Sequence, residues 1–149
     1  MQYPEEIVEV VALGIDQEIL GVKNRDTGRV DSPGIRGRLM SGNPPTIIRD
    51  SALSIVSKMN SLNEKLPPLK KSLPRNVIIA FDSIKKECAK LAELMNNQLD
   101  GPFKDSEEVR DLDKALPITE RIVALFTSVK QDFRNTLPGY MKNFKDFVF

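Results

Sequence analysis

Five cations crowd the glycine-rich stretch between residues 21 and 45: Lys23, Arg25, Arg29, Arg36 and Arg38 stand against Asp26 and Asp31, a local excess of three positive charges. Cations beside Gly21, Gly28, Gly34 and Gly37 suit close approach to phosphates or to an acidic protein surface. The stretch has no aromatic residue to stack on a base. No glycine spacing in it matches the phosphate-binding loop that ends in Gly-Lys-Ser or Gly-Lys-Thr. A solvated or internally paired loop accounts for the same charges. A second basic group, Lys58, Lys65, Lys70, Lys71 and Arg75, would extend a nucleic-acid footprint only if the fold set it on the same side.

The remaining chemical candidates are sparse. Cys88 is the only cysteine and falls in an apolar register, where a buried, inert thiol is expected. Asp105, Glu107, Glu108, Asp111 and Asp113 form an acidic cluster, but Val109 and Arg110 break the alternation that a calcium loop needs, so a charged helix face is the expectation. The chain has no histidine, which removes the commonest general base, nucleophile partner and metal ligand. No catalytic residue, metal or cofactor is expected, and the chain reads as a non-enzyme. Binding is left as its occupation. The last ten residues carry Tyr140, Phe144, Phe147 and Phe149, with Lys142 and Lys145 between them. Aromatics of that density cap a core, anchor in a partner's groove or form a weak membrane-surface element.

At 149 residues the chain suits a single domain over 1–149 that buries a core without staples. Twenty-two Lys and Arg nearly balance 21 Asp and Glu, so recognition of a charged partner must be local rather than global. A lone cysteine excludes an internal disulfide and points to a reducing compartment, cytoplasmic or nuclear. The apolar runs Val10 to Leu13 and Val77 to Phe81 are far too short to cross a bilayer, and the start lacks a signal peptide's pattern, so no integral membrane insertion is expected.

The elements that would position these groups are helical. Val8, Ala12, Ile15, Ile19 and Val22 recur at steps of four and three, predicting a helix over Pro4 to Leu20 that Gly21 ends, with a strand as the rival reading. Residues 21–45 form a long loop, or in part a short β-ribbon in which Val22 and Val30 flank the turn Arg25-Asp26-Thr27-Gly28-Arg29. Pro44-Pro45-Thr46 opens a helix with Ile48, Ala52, Ile55, Met59, Leu62 and Leu66 on one stripe, closed by Pro67 and Pro68. Another runs through Val77, Phe81, Ile84, Cys88, Leu91 and Met95 to Asp100-Gly101. Their matched stripes predict an antiparallel, coiled-coil-like pair. Five consecutive apolar residues, Val77 to Phe81, predict burial on more than one side there, with Ile78 or Ile79 facing a partner. A short helix is expected from Asp105 to Leu112, and a last long one with Pro117 in its first turn and Ile118, Ile122, Leu125, Phe126, Val129 and Phe133 on its apolar face.

The reading is an all-α, antiparallel bundle of three to four long helices that serves as a protein-interaction module: an adaptor, assembly or regulatory subunit of a complex. Protein partnership or self-association would use the basic loop, Ile78, Ile79 and the aromatic segment 140–149. The alternative is a nucleic-acid-binding protein using loop 23–38 and the Lys-rich turn 58–75.

Overall fold

The computed structural model describes residues 5–24 and 26–139. Its described part is predominantly helical, with a single two-stranded antiparallel sheet. The N-terminal segment is a continuous helix made of α1 (Glu5–Val8), a π-helical turn (Glu9–Leu13) and α2 (Gly14–Leu20). Backbone angles stay right-handed helical through both junctions, at Val8 and at Gly14, so the helical reading of this segment holds. Gly21 ends it at φ 87°, a left-handed value that favours glycine. The π turn winds wider than an α turn and re-aims the side chains of α2. Here Val11, Ala12, Leu13, Gly14, Ile15 and Asp16 are all buried in succession.

The stretch 21–45 is more structured than a loop. Strand β1 (Gly21–Lys23) pairs antiparallel with β2 (Val30–Pro33), Lys23 opposite Val30 and Val22 opposite Ser32, with a bulge between Val22 and Lys23. At the tip Asn24 Oδ1 accepts from the amides of Asp26 and Thr27 at 2.9 and 3.1 Å, and Gly28 takes φ 70°. The ribbon reading is correct in its Val22 and Val30 flanks. Helix α3 (Ile35–Met40) is one of two short helices that sequence periodicity missed, the other standing at Pro67–Ser72: it is too short to show a stripe, yet Ile35 and Leu39 are fully and almost fully buried. Gly34 explains the close fit. A Cβ there would lie 2.2 Å from the Ile19 carbonyl oxygen, so only glycine lets the hairpin's exit pass against the end of α2.

Helix α4 (Pro45–Lys65) starts with Pro45 in its first turn and buries Ile48, Ala52, Ile55, Met59 and Leu62. Pro67 and Pro68 end α4 and at once open α5 (Pro67–Ser72), which buries Leu69. Helix α6 (Arg75–Leu99) buries the expected Val77, Phe81, Ile84, Cys88, Leu91 and Met95. It is not buried all round at its start, because Ile78 is half-buried and Ile79 is 55% exposed.

The expected short helix from Asp105 to Leu112 is absent. Buried Gln98 accounts for it: its Nε2 donates to the Glu108 carbonyl at 2.8 Å and its Oε1 accepts from the Arg110 amide at 2.9 Å, so that backbone bonds α6 instead of itself. Helix α7 (Leu112–Thr136) starts earlier than Pro117, which therefore lies inside the helix. Having no N–H, it leaves the carbonyl four residues back, on Asp113, without its helical donor. A 3-10 turn (Leu137–Gly139) comes after α7.

The buried apolar residues of these elements form one cluster. Phe81, Phe126 and Phe133 meet inside it with ring centroids 5.1 to 6.2 Å apart, joining α6 to α7. Helix α6 packs on α4 and on α7, while α2 packs on α3, α4 and α7. Polar contacts join opposite ends of neighbours: Arg49, early in α4, donates to Asn96, late in α6, and Asn76, early in α6, donates to Asp132, late in α7. Among the described residues no helix is long and apolar enough to cross a membrane.

Candidate functional site

Where α2 gives way to β1, residues of the hairpin and of the last turns of α7 line an open cleft of about 340 Å³. Part of its lining is apolar: Leu20, Val22 and Val30, the last 59% exposed. The rest of the lining carries charge, with Lys23 from β1 and Lys130 and Arg134 from α7. Positions 130 and 134 are one helical turn apart and so share a face of α7.

Arg134 is the fixed point of the site. Its Nε and Nη2 donate to Asp16 Oδ2 and Oδ1 at 2.7 and 2.9 Å, a two-pronged pair between side chains that are 11% and 5% exposed. Such pairing is geometrically selective as well as strong. The bond to Asp16 holds the guanidinium above its ordinary pKa, against burial, which pulls it down. Asp16 does not line the cleft; Lys23 and Lys130 do, and neither has an ion-pair partner among the described residues.

The five cations of the 21–45 stretch part company. Lys23 joins the cleft, and Arg29 lies exposed at the hairpin tip. Arg36, on α3, reaches across to Glu120 of α7 at 3.6 Å. Arg38 turns back, its Nε donating to the Pro33 carbonyl at 3.3 Å. Arg25 lies outside the described residues, as do Tyr140, Phe144, Phe147 and Phe149. In the second basic group, Lys58 folds over Gly14 and donates to Glu18 and Ser54 at 3.4 and 3.1 Å. Lys65, Lys71 and Arg75 remain exposed. Ile79 is exposed on α6 and lines neither this cleft nor the two smaller concavities near α6.

Sequence reasoning missed Lys130 and Arg134. Their spacing of four was visible, but what that face meets depends on a contact between residues 118 positions apart.

Those other concavities are less selective. A shallow groove of about 270 Å³ between α6 and α7 mixes Lys90 and Lys114 with Glu93. One of about 200 Å³ lies beside Gln98 and Phe103, with Arg110 4.8 Å above the Phe103 ring. Glu87 Oε1 accepts from Lys90 and Arg121, each at 3.2 Å, while its Oε2 is buried without a partner among the described residues. Burial, helped by the neighbouring Glu87 charge, pushes the Cys88 thiol up to about 12, so it is not a nucleophile at neutral pH. Among the described residues no group of three or more acidic or cysteine side chains is arranged to hold a metal ion.

No known protein family matches this chain, and no curated protein or solved structure is recognisably similar to it.

Proposed function

We propose that the chain is a non-catalytic protein-interaction module, an adaptor, assembly or regulatory subunit, and that a partner docks at the cleft between the hairpin and α7. The observation that carries this reading is the lining itself. Exposed Val30 and half-buried Val22 sit beside Lys23 and Lys130, so apolar and charged groups wait together for something to cover them. Protein interfaces combine apolar anchors and charged rims in this way. The chemically reactive candidate, Cys88, is withdrawn into the core.

The scaffold behind the cleft is read as an antiparallel bundle of α4, α6 and α7, supported by the bonds from Arg49 to Asn96 and from Asn76 to Asp132. A buried free thiol suits a reducing cytoplasmic or nuclear setting. The aromatic segment 140–149 comes after α7 in the chain and remains a second candidate contact. Nucleic-acid binding has less support, because Arg36 faces Glu120 and Lys58 faces Glu18 instead of joining Lys23.

A photo-cross-linking residue in place of Val30, expressed in the native cell, tests the reading. The expected result is a discrete cross-linked protein species, either a partner or a second copy, that is missing when the same residue replaces exposed Asp50. Identical products from the two positions, or none from either, would count against it.

A further inference from the structure

We propose that the occupant of the cleft between the β1–β2 hairpin and α7 is an acidic, apolar-bearing segment of the protein partner. Its carboxylates would meet Lys23 and Lys130, and its apolar side chains would lie on Val22 and Val30. This deepens, and rests on, the reading of the chain as an interaction module.

Three cationic side chains line the cleft and, among the described residues, no acidic one does. Arg134 is offset by Asp16, whose two oxygens both face the guanidinium, so its charge is already matched. Lys23 and Lys130 have no such match among the described residues, and they approach from two different elements. A ligand carrying negative charge is therefore selected and a cationic one rejected, since like charges held together are repelled. Arg134 still has a role. Locked by Asp16, it gives the site one cation whose position does not have to be ordered on binding, which lowers the entropic cost of docking.

The apolar half decides between anions. An inorganic phosphate or a nucleic-acid backbone would satisfy the lysines but leave Val22 and Val30 in water. A peptide alternating acids with aliphatic side chains covers both halves. Strand β1 lines the cleft over its whole length, Gly21 to Lys23, and has a strand on one side only among the described residues. An extended segment laid beside such a strand places alternate side chains on one face at the strand period. The volume of about 340 Å³ holds a few side chains and lies at the lower end of ligand-site sizes, which run from about 300 to 1,000 Å³.

The test uses the full chain and fluorescence anisotropy with three labelled probes: a short peptide alternating glutamate and leucine, its glutamine-for-glutamate counterpart, and oligothymidylate of equal charge. The glutamate peptide is expected to bind, and the glutamine peptide to bind about tenfold more weakly or worse. Lys23→Glu and Lys130→Glu should each weaken the glutamate peptide by about tenfold. Lys86→Glu, on the exposed side of α6, should leave it unchanged, with circular dichroism confirming that all three variants fold. Val30→Ser should weaken the peptide and not the oligonucleotide. The proposal is overturned if the glutamate peptide fails to bind, if Lys86→Glu weakens it as much as the cleft variants do, or if the oligonucleotide binds more tightly with the same lysine dependence. The cross-linking from position 30 separates the two levels. Capture of a partner that persists in the Lys23→Glu, Lys130→Glu chain overturns the acidic assignment and spares the module. Peptide binding with no capture supports the cleft chemistry and removes the module.

Discussion

The N-terminal helix and the start of α6 carry similar runs of apolar residues and cover them to different extents. In the first, Val10 is 63% exposed, but the six residues that follow, Val11 to Asp16, are all buried. In the second, Val77, Ala80 and Phe81 are buried, Ile78 is half-covered and Ile79 is 55% exposed. The difference lies in the company each helix keeps. Helix α2 is packed by α3, α4 and α7, whereas α6 lies between α4 and α7 and leaves a flank to water. A helix that is apolar on one stripe can bury that stripe against one layer; a longer buried run needs neighbours on more sides. The π turn contributes by re-aiming Leu13 to Asp16 relative to a regular helix.

Asp16 offers the severest test of that contrast. Asp16→Ala should destabilise the protein by about 3 kcal/mol or more, because Arg134 would keep a largely buried charge with no partner. Adding Arg134→Met should recover most of the loss, and chemical denaturation of the three variants would show it. If the single variant costs less than about 1 kcal/mol, then water reaches Arg134 through the cleft and the region is not dry.

Ile15→Ala comes next. This fully buried side chain should cost about 3 kcal/mol, read from the same denaturation curves, whereas an exposed position would cost a small fraction of that.

The inner face of α6 should prove as dry as the N-terminal helix, and Cys88 reports on it. The folded thiol titrates near 12 rather than at its ordinary 9.0, so the folded state keeps a proton that the unfolded state releases. Its contribution is therefore complete below about pH 9 and declines as pH rises towards about 12. Stability curves of the native chain and Cys88→Ala should converge over that window. Labelling by a thiol reagent at pH 8 should also be far slower in the native protein than in denaturant.

The smallest effect belongs to Ile79→Ala, expected to change stability by less than about 0.5 kcal/mol. A larger loss in the isolated chain would mean that the flank is covered after all.

Much of the fold was legible in the sequence where one residue type repeats at one period. The stripes Ile48 to Leu62 and Val77 to Met95 are buried as their spacing required, and proline and glycine marked most helix ends. On α7 the same logic held for Ile122, Phe126, Val129 and Phe133, while Ile118 and Leu125 are only half-buried at the edge of the stripe. The candidate site was half legible. Lys23 and the Val22 and Val30 flanks came from local pattern, because a turn is encoded by the residues that make it.

Helical class, the core-facing registers and the hairpin were thus written locally, since all three come from backbone preference and periodicity within a few turns. Long-range packing set everything else. Gln98 took the backbone bonds that a helix around Glu108 would have used, and Gly34 let the hairpin's exit press on α2. Asp16 found Arg134 across 118 positions, and Lys130 on the same face of α7 lines one cleft with Lys23. Such contacts depend on which faces meet in space, and a helical period says only that a face exists, not what it will touch.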